Sequence, residues 1–131
     1  MNLNLKGKII TVRPEGTITT KQNLPYYIGI SQVTAGAKGL SMNLTVIPPG
    51  GSPKVHYHKD FETAIYLLKG KVKTLFGEYL QESTVNEEGD FVYIPPGVPH
   101  KPVNLSDTET ALAIVSRNDP NEHENVVIYD E

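Results

Sequence analysis

Cysteine and tryptophan are absent from this 131-residue chain, and methionine occurs only twice. Disulfides, thiol nucleophiles and thiolate metal sites are thereby excluded, so a metal held by the chain must rest on imidazole and carboxylate. Positive charge is scarce as well: 12 Lys and Arg against 15 Asp and Glu leave a net charge of -3. That balance provides no basic field for a nucleic-acid backbone or an anionic membrane surface, and neither is an expected partner. The opening stretch, "MNLNLKGKIITVRPEG", holds no apolar run long enough for a membrane span or a signal peptide. A soluble, cytoplasmic protein is the expectation. The 11 Gly and 10 Pro lie below the level of low-complexity disorder and read as punctuation within one domain, residues 1–131.

Apolar and polar residues alternate with a period of two through much of the chain, and no convincing amphipathic helix competes with that pattern. In "LSMNLTVIPPGG" Leu40, Met42, Leu44 and Val46 are apolar while Ser41, Asn43 and Thr45 are polar, as in a strand with one face on a core. In "GKVKTLFG" Val72, Thr74 and Phe76 share one face and Lys71 and Lys73 the other, between turn-forming Gly70 and Gly77. Lys69 joins those lysines on a solvated face. Further strands are expected at "KIITV", "YYIGISQV", "ETAIYLL", "GDFVYIP", "TALAIV" and "NVVIY". Many short strands with closely spaced turn signals indicate an all-β sandwich or closed barrel.

Two stretches carry chemistry. In "PKVHYHKDFETAIY", His56 and His58 stand two residues apart, a spacing that puts both imidazoles on one face of a strand and within reach of one ion. Glu62 has the same parity if register is kept, and supplies a hard anionic oxygen. In "GDFVYIPPGVPHKPVN", Pro95, Pro96, Gly97 and Pro99 stiffen the chain before His100, which is expected to complete the ligand set from a rigid loop. His123, in the acidic tail "NDPNEHENVVIYDE", has no partner pattern and reads as an ordinary surface or packing residue. Tyr66 and Tyr93 are expected as core aromatics.

These stretches resemble the two motifs of the cupin superfamily. The second motif (Gly, five residues, Pro-x-Gly, two residues, His, three residues, Asn) is matched in full by Gly89, Pro95, Gly97, His100 and Asn104. The first (Gly, five residues, His-x-His, three or four residues, Glu, six residues, Gly) fits at Gly50, His56, His58 and Glu62, but Gly70 comes one residue late. Counting back from Gly70 puts Thr63 in the carboxylate position and allows a three-histidine site. Glu62 is preferred, because a β-bulge before Gly70 can absorb the extra residue. The resemblance, with motifs at about 50–70 and 89–104, implies a single-domain double-stranded β-helix, or jelly-roll, barrel. His56, His58, Glu62 and His100 would converge inside one end, with Asn104 and the glycines shaping turns.

Such a ligand set implies one divalent ion, Mn, Fe, Ni or Zn. With three neutral imidazoles and one carboxylate the centre keeps a residual positive charge and attracts anionic or oxygen-rich small molecules. A metal-dependent enzyme, isomerase, dioxygenase or decarboxylase in kind, is the leading reading. A non-catalytic small-ligand-binding or sensor protein using the same pocket is the alternative, and an interaction module without ordered metal is a third class. Fold alone does not choose among them. The family pattern also implies a homodimer, with "YYIGISQV" covering or extending a neighbour's sheet.

Overall fold

The computed structural model describes residues 7–19, 24–51, 53–121 and 125–129; His123 lies outside them. Among the described residues there are eleven strands, β1 (Ile18–Thr19), β2 (Pro25–Ile30), β3 (Ser41–Ile47), β4 (His56–His58), β5 (Thr63–Lys69), β6 (Lys71–Phe76), β7 (Glu82–Glu87), β8 (Phe91–Ile94), β9 (His100–Asn104), β10 (Ala111–Arg117) and β11 (Val126–Ile128). A four-residue helix, α1 (Gln32–Ala35), is capped by Ser31, whose side chain accepts from the Thr34 N–H. The strands form two antiparallel sheets, one ordered β1-β2-β3-β10-β5-β8 and the other β11-β4-β9-β6-β7. This is a jelly-roll β-sandwich. No described helix is long and apolar enough to cross a membrane.

Between the sheets lies a core of Leu24, Tyr26, Ile47, Leu67, Val72, Ala111, Ala113 and Val115, each larger member contributing about 1.5–3 kcal/mol by leaving water. Gly70 lets β5 turn tightly into β6: its φ is +97°, and a Cβ there would stand 2.8 Å from that of Ala111. Side chains larger than hydrogen would push the hairpin off the core.

Two expectations need correction. "KIITV" forms no strand, and Ile9 is almost wholly exposed. In β3 the faces are reversed: Ser41, Asn43, Thr45 and Ile47 are buried, while Leu40 and Met42 are exposed. Alternation set the period but not which face turns inward, because the inner face of this barrel accepts hydroxyls and amides. In "YYIGISQV" only Tyr26 meets β1, which pairs with Pro25 and Tyr26, while β3 holds the other side of β2.

Candidate metal centre

His56 and His58 are the first and last residues of the three-residue β4, so both side chains turn inward. His100 opens β9 and is the cross-strand partner of His56. That single register contact joins the two motifs. All three rings are buried, with 3%, 3% and 4% of their surface exposed for His56, His58 and His100. The ring centroids of His56 and His100 are 4.3 Å apart, and the three ligand nitrogens lie within 4.8 Å of one another. Ligands on one ion at about 2.1 Å are no more than about 4.2 Å apart, so modest ring rotation brings this set onto a common centre.

Backbone carbonyls set the tautomers. Nδ1 of His56 lies 3.0 Å from the Lys54 carbonyl and Nδ1 of His100 2.9 Å from that of Val98. A carbonyl only accepts, so each Nδ1 carries the proton and each Nε2 keeps its lone pair for a metal. Burial favours the neutral form strongly. Desolvation, then the neighbouring His100 and Arg117, lowers the pKa of His56 to about 3, against the rise from its carbonyl bond. Desolvation is again the main cause at His100, whose pKa falls to about 4. Both rings are thus unprotonated at neutral pH, the state a metal requires. Three buried imidazoles, two of them neutral and oriented by backbone carbonyls, fit a divalent transition metal.

Glu62 stands outside this cluster. It is exposed, and its Oε1 accepts a 2.8 Å hydrogen bond from the Tyr93 hydroxyl, while its backbone N–H donates to Asn118 Oδ1. The parity argument assumed an unbroken register after His58, but the chain turns at Lys59 and Asp60, where Asp60 has φ +68°. Strand β5 then restarts with Thr63, Ile65 and Leu67 lining the interior, which aims Glu62 outward with Ala64. A register irregularity does occur near the end of β5, opposite Leu112 and Ala113. It lies downstream of the residues that decide the face of Glu62. Tyr93 is correspondingly a surface residue, 59% exposed, and its bond to Glu62 pushes its pKa up. Tyr66, also outward, packs on Phe91.

The inward position belongs to Thr63, 1% exposed, whose Oγ1 accepts a 2.8 Å hydrogen bond from Nε of Arg117. Arg117, 4% exposed, ends β10 and lines the same interior cavity as His56, His100 and Thr63. The cavity holds about 70 Å³, and its wall combines aliphatic side chains such as Ile65, Ile94 and Val115 with Tyr26, Thr45, Thr74 and Asn86. That is room for a ligand of a few heavy atoms. Arg117 escaped the sequence reading, although a signal existed: in "ALAIVSR" it shares parity with Ala111, Ala113 and Val115, so a cation stands on the core face of a strand.

The remaining motif residues brace the site. Gly97, at φ +75°, donates its N–H to the His58 carbonyl at 3.0 Å, tying the proline-rich loop to β4. Buried Asn104 donates to the carbonyls of Ile47 and Glu109 at 3.0 and 2.8 Å and accepts from the Ser106 N–H at 2.9 Å.

Residues 43–116, more than half the chain, match the cupin domain family. The chain belongs to the cupin family. Among curated proteins it is 31% identical over 117 residues to germin-like protein subfamily T member 3 of Arabidopsis thaliana, covering 88% of this chain and 49% of that protein. This cupin therefore spans about half the length of that relative. Among solved structures, an oxalate oxidase in complex with the substrate analogue glycolate superposes with a TM-score of 0.74 at 22% identity, covering 98% of this chain and 68% of the other. Oxalate decarboxylase of Lactobacillus farciminis, in a formate complex, gives 0.71 at 21% identity over 86% of this chain and 32% of that one. At such identities the likeness is one of fold.

Proposed function

We propose that this cupin is a metal-dependent protein acting on a small, anionic, oxygen-rich metabolite, with His56, His58 and His100 as the metal ligands. The observation that carries the reading is the convergence of three buried imidazoles, of which His56 and His100 are kept neutral at physiological pH and line a small cavity together with the buried Arg117. A bound Mn, Fe, Ni or Zn ion would supply Lewis acidity or, for the redox-active metals, one-electron chemistry. The chain's own contribution is to surround the site with largely apolar walls, to fix the tautomers of His56 and His100 through the carbonyls of Lys54 and Val98, and to hold Arg117 in the same cavity. The small carboxylates named with the oxalate oxidase and decarboxylase structures agree with the charge and size of this cavity.

A non-catalytic ligand-binding role is the second reading. It is favoured by the outward placement of Glu62, which leaves no carboxylate among the described residues that line the cavity to serve as a general base. Elemental analysis of protein purified without added metal, followed by incubation with small acids, tests both. Stoichiometric metal with turnover of an acid supports the enzyme, and metal with binding but no turnover supports the second reading. Absence of metal uptake at micromolar free ion would overturn both.

A homodimer is part of this proposal. The outer face of the six-stranded sheet exposes Met42, Leu68 and Phe91, the last 84% accessible, and apolar faces of that kind are commonly covered by a second subunit. Light scattering should give twice the chain mass of 14.4 kDa; a monomer at that mass would contradict it.

A further inference from the structure

Resting on the metal reading above, we infer that Thr45 is a specificity-determining residue, bonding an uncharged oxygen at the far end of a small carboxylate whose near end is held at the histidines. Thr45 is 4% exposed and lines the same cavity as His56 and His100, and its Oγ1 is buried without a hydrogen-bond partner. Thr63, on the same wall, differs, because its hydroxyl accepts from Arg117. The strands cannot supply the missing bond. Thr45 stands within β3, paired with Tyr26 of β2 on one side and Ala113 of β10 on the other, so the neighbouring main-chain groups are engaged in the ladders and lie in the plane of the sheet. A valine would suit this strand position at least as well without burying a hydroxyl. A polar group that the fold buries and leaves unsatisfied marks a place where function outweighs stability.

Register places this hydroxyl away from the metal end. Thr63, Arg117 and Ser41 stand level across the six-stranded sheet, and the first two line the cavity together with the histidines. Thr45 lies four residues beyond Ser41 along β3, roughly 13 Å at about 3.3 Å per residue. The opposite sheet runs the same way: His100 pairs with Phe76, whereas Asn104, which bonds the Ile47 carbonyl, pairs with Val72. The cavity thus extends along the strands from the histidines towards Val72 and Ile47. A ligand that meets both the histidines and Thr45 is therefore extended, with an apolar stem against Ile65, Leu67 and Val115 and an oxygen at each end. A threonine hydroxyl both donates and accepts, so a hydroxyl or carbonyl oxygen suits it. A volume of about 70 Å³ keeps the stem to a few carbons.

The test uses the full chain loaded with Zn²⁺ and calorimetric titration with propanoate, butanoate and pentanoate, each beside its counterpart bearing a terminal hydroxyl. At one of these lengths the hydroxyl should raise affinity for the parent by roughly three- to ten-fold, the range of one neutral hydrogen bond. Thr45→Val should abolish that gain while Zn²⁺ affinity, from chelator competition, stays level and the urea midpoint of the ligand-free protein stays level or rises; Thr45→Ser should keep the gain. A merely structural Thr45 would instead lower the urea midpoint in Thr45→Val and weaken both acids of every pair alike. Equal binding within every pair by the parent, as when water keeps the Thr45 hydroxyl occupied, would overturn the inference and leave the metal reading standing. So would a gain that survives in Thr45→Val, or Zn²⁺ uptake with no binding of any of the acids. Failure of the parent to take up Zn²⁺ would overturn both. Should Thr45→Val not fold, the paired acids on the parent still decide.

Discussion

The stretch from Gly89 to Asn104 and the stretch from Gly50 to Gly70 both match a family motif, yet they translate into space differently. In the later stretch His100 turns inward and Gly97 and Asn104 brace the loops around it. In the earlier stretch His56 and His58 arrive, and Glu62 does not. The difference lies in what fixes register. His100 sits on a strand paired with β6 along its whole length and with His56 across the site. Glu62 follows a turn at Asp60 and precedes β5, so no ladder carries the parity of His58 forward to it. Sequence spacing predicts a side chain's direction only while the strand is unbroken.

The comparison is broken or sharpened most strongly at His100. His100→Ala should lower metal affinity by at least about 100-fold, the upper end of what a ligand's supporting partners alone can cause. Chelator competition at fixed pH measures it, and a loss below ten-fold would remove His100 from the ligand set. Next in size is Asn104→Ala. The buried amide serves three backbone groups, and leaving them unsatisfied should cost about 1–3 kcal/mol. The expected readout is a lower urea midpoint with an unchanged slope; a midpoint within error of the parent would deny the bracing role.

Acid sensitivity of the metal-free protein comes third. His56 and His100 have folded-state pKa values of about 3 and about 4 against an ordinary 6.5. Between those values the unfolded chain takes up protons that the folded chain refuses, so stability is full above pH 6.5 and declines as pH falls towards 4. The slope approaches something on the order of 1 kcal/mol per pH unit for each ring. Urea titrations from pH 7 to pH 4 should show it, and a flat profile would mean that the rings are less desolvated than their burial indicates. The smallest effect is expected at Glu62. Glu62→Gln and Tyr93→Phe should each leave metal affinity within about two-fold and stability within about 0.5 kcal/mol, as for exposed polar contacts. A ten-fold loss of metal affinity in Glu62→Gln alone would bring that carboxylate back into the centre and break the contrast between the two stretches.

Much of this protein was determined by local pattern. Period-two alternation, turn residues and the spacing of Pro95, Gly97, His100 and Asn104 specify short strands joined by tight loops and a histidine-bearing end, because each depends on a few neighbouring residues obeying strand and turn geometry. What only the tertiary structure decided were matters of sign and partnership: which face of β3 turns inward, whether Glu62 or Thr63 meets the interior, and that Arg117 stands beside the histidines. A local pattern is blind to these. They depend on how β10 lies between β3 and β5, and pairing between strands far apart in the chain sets that arrangement.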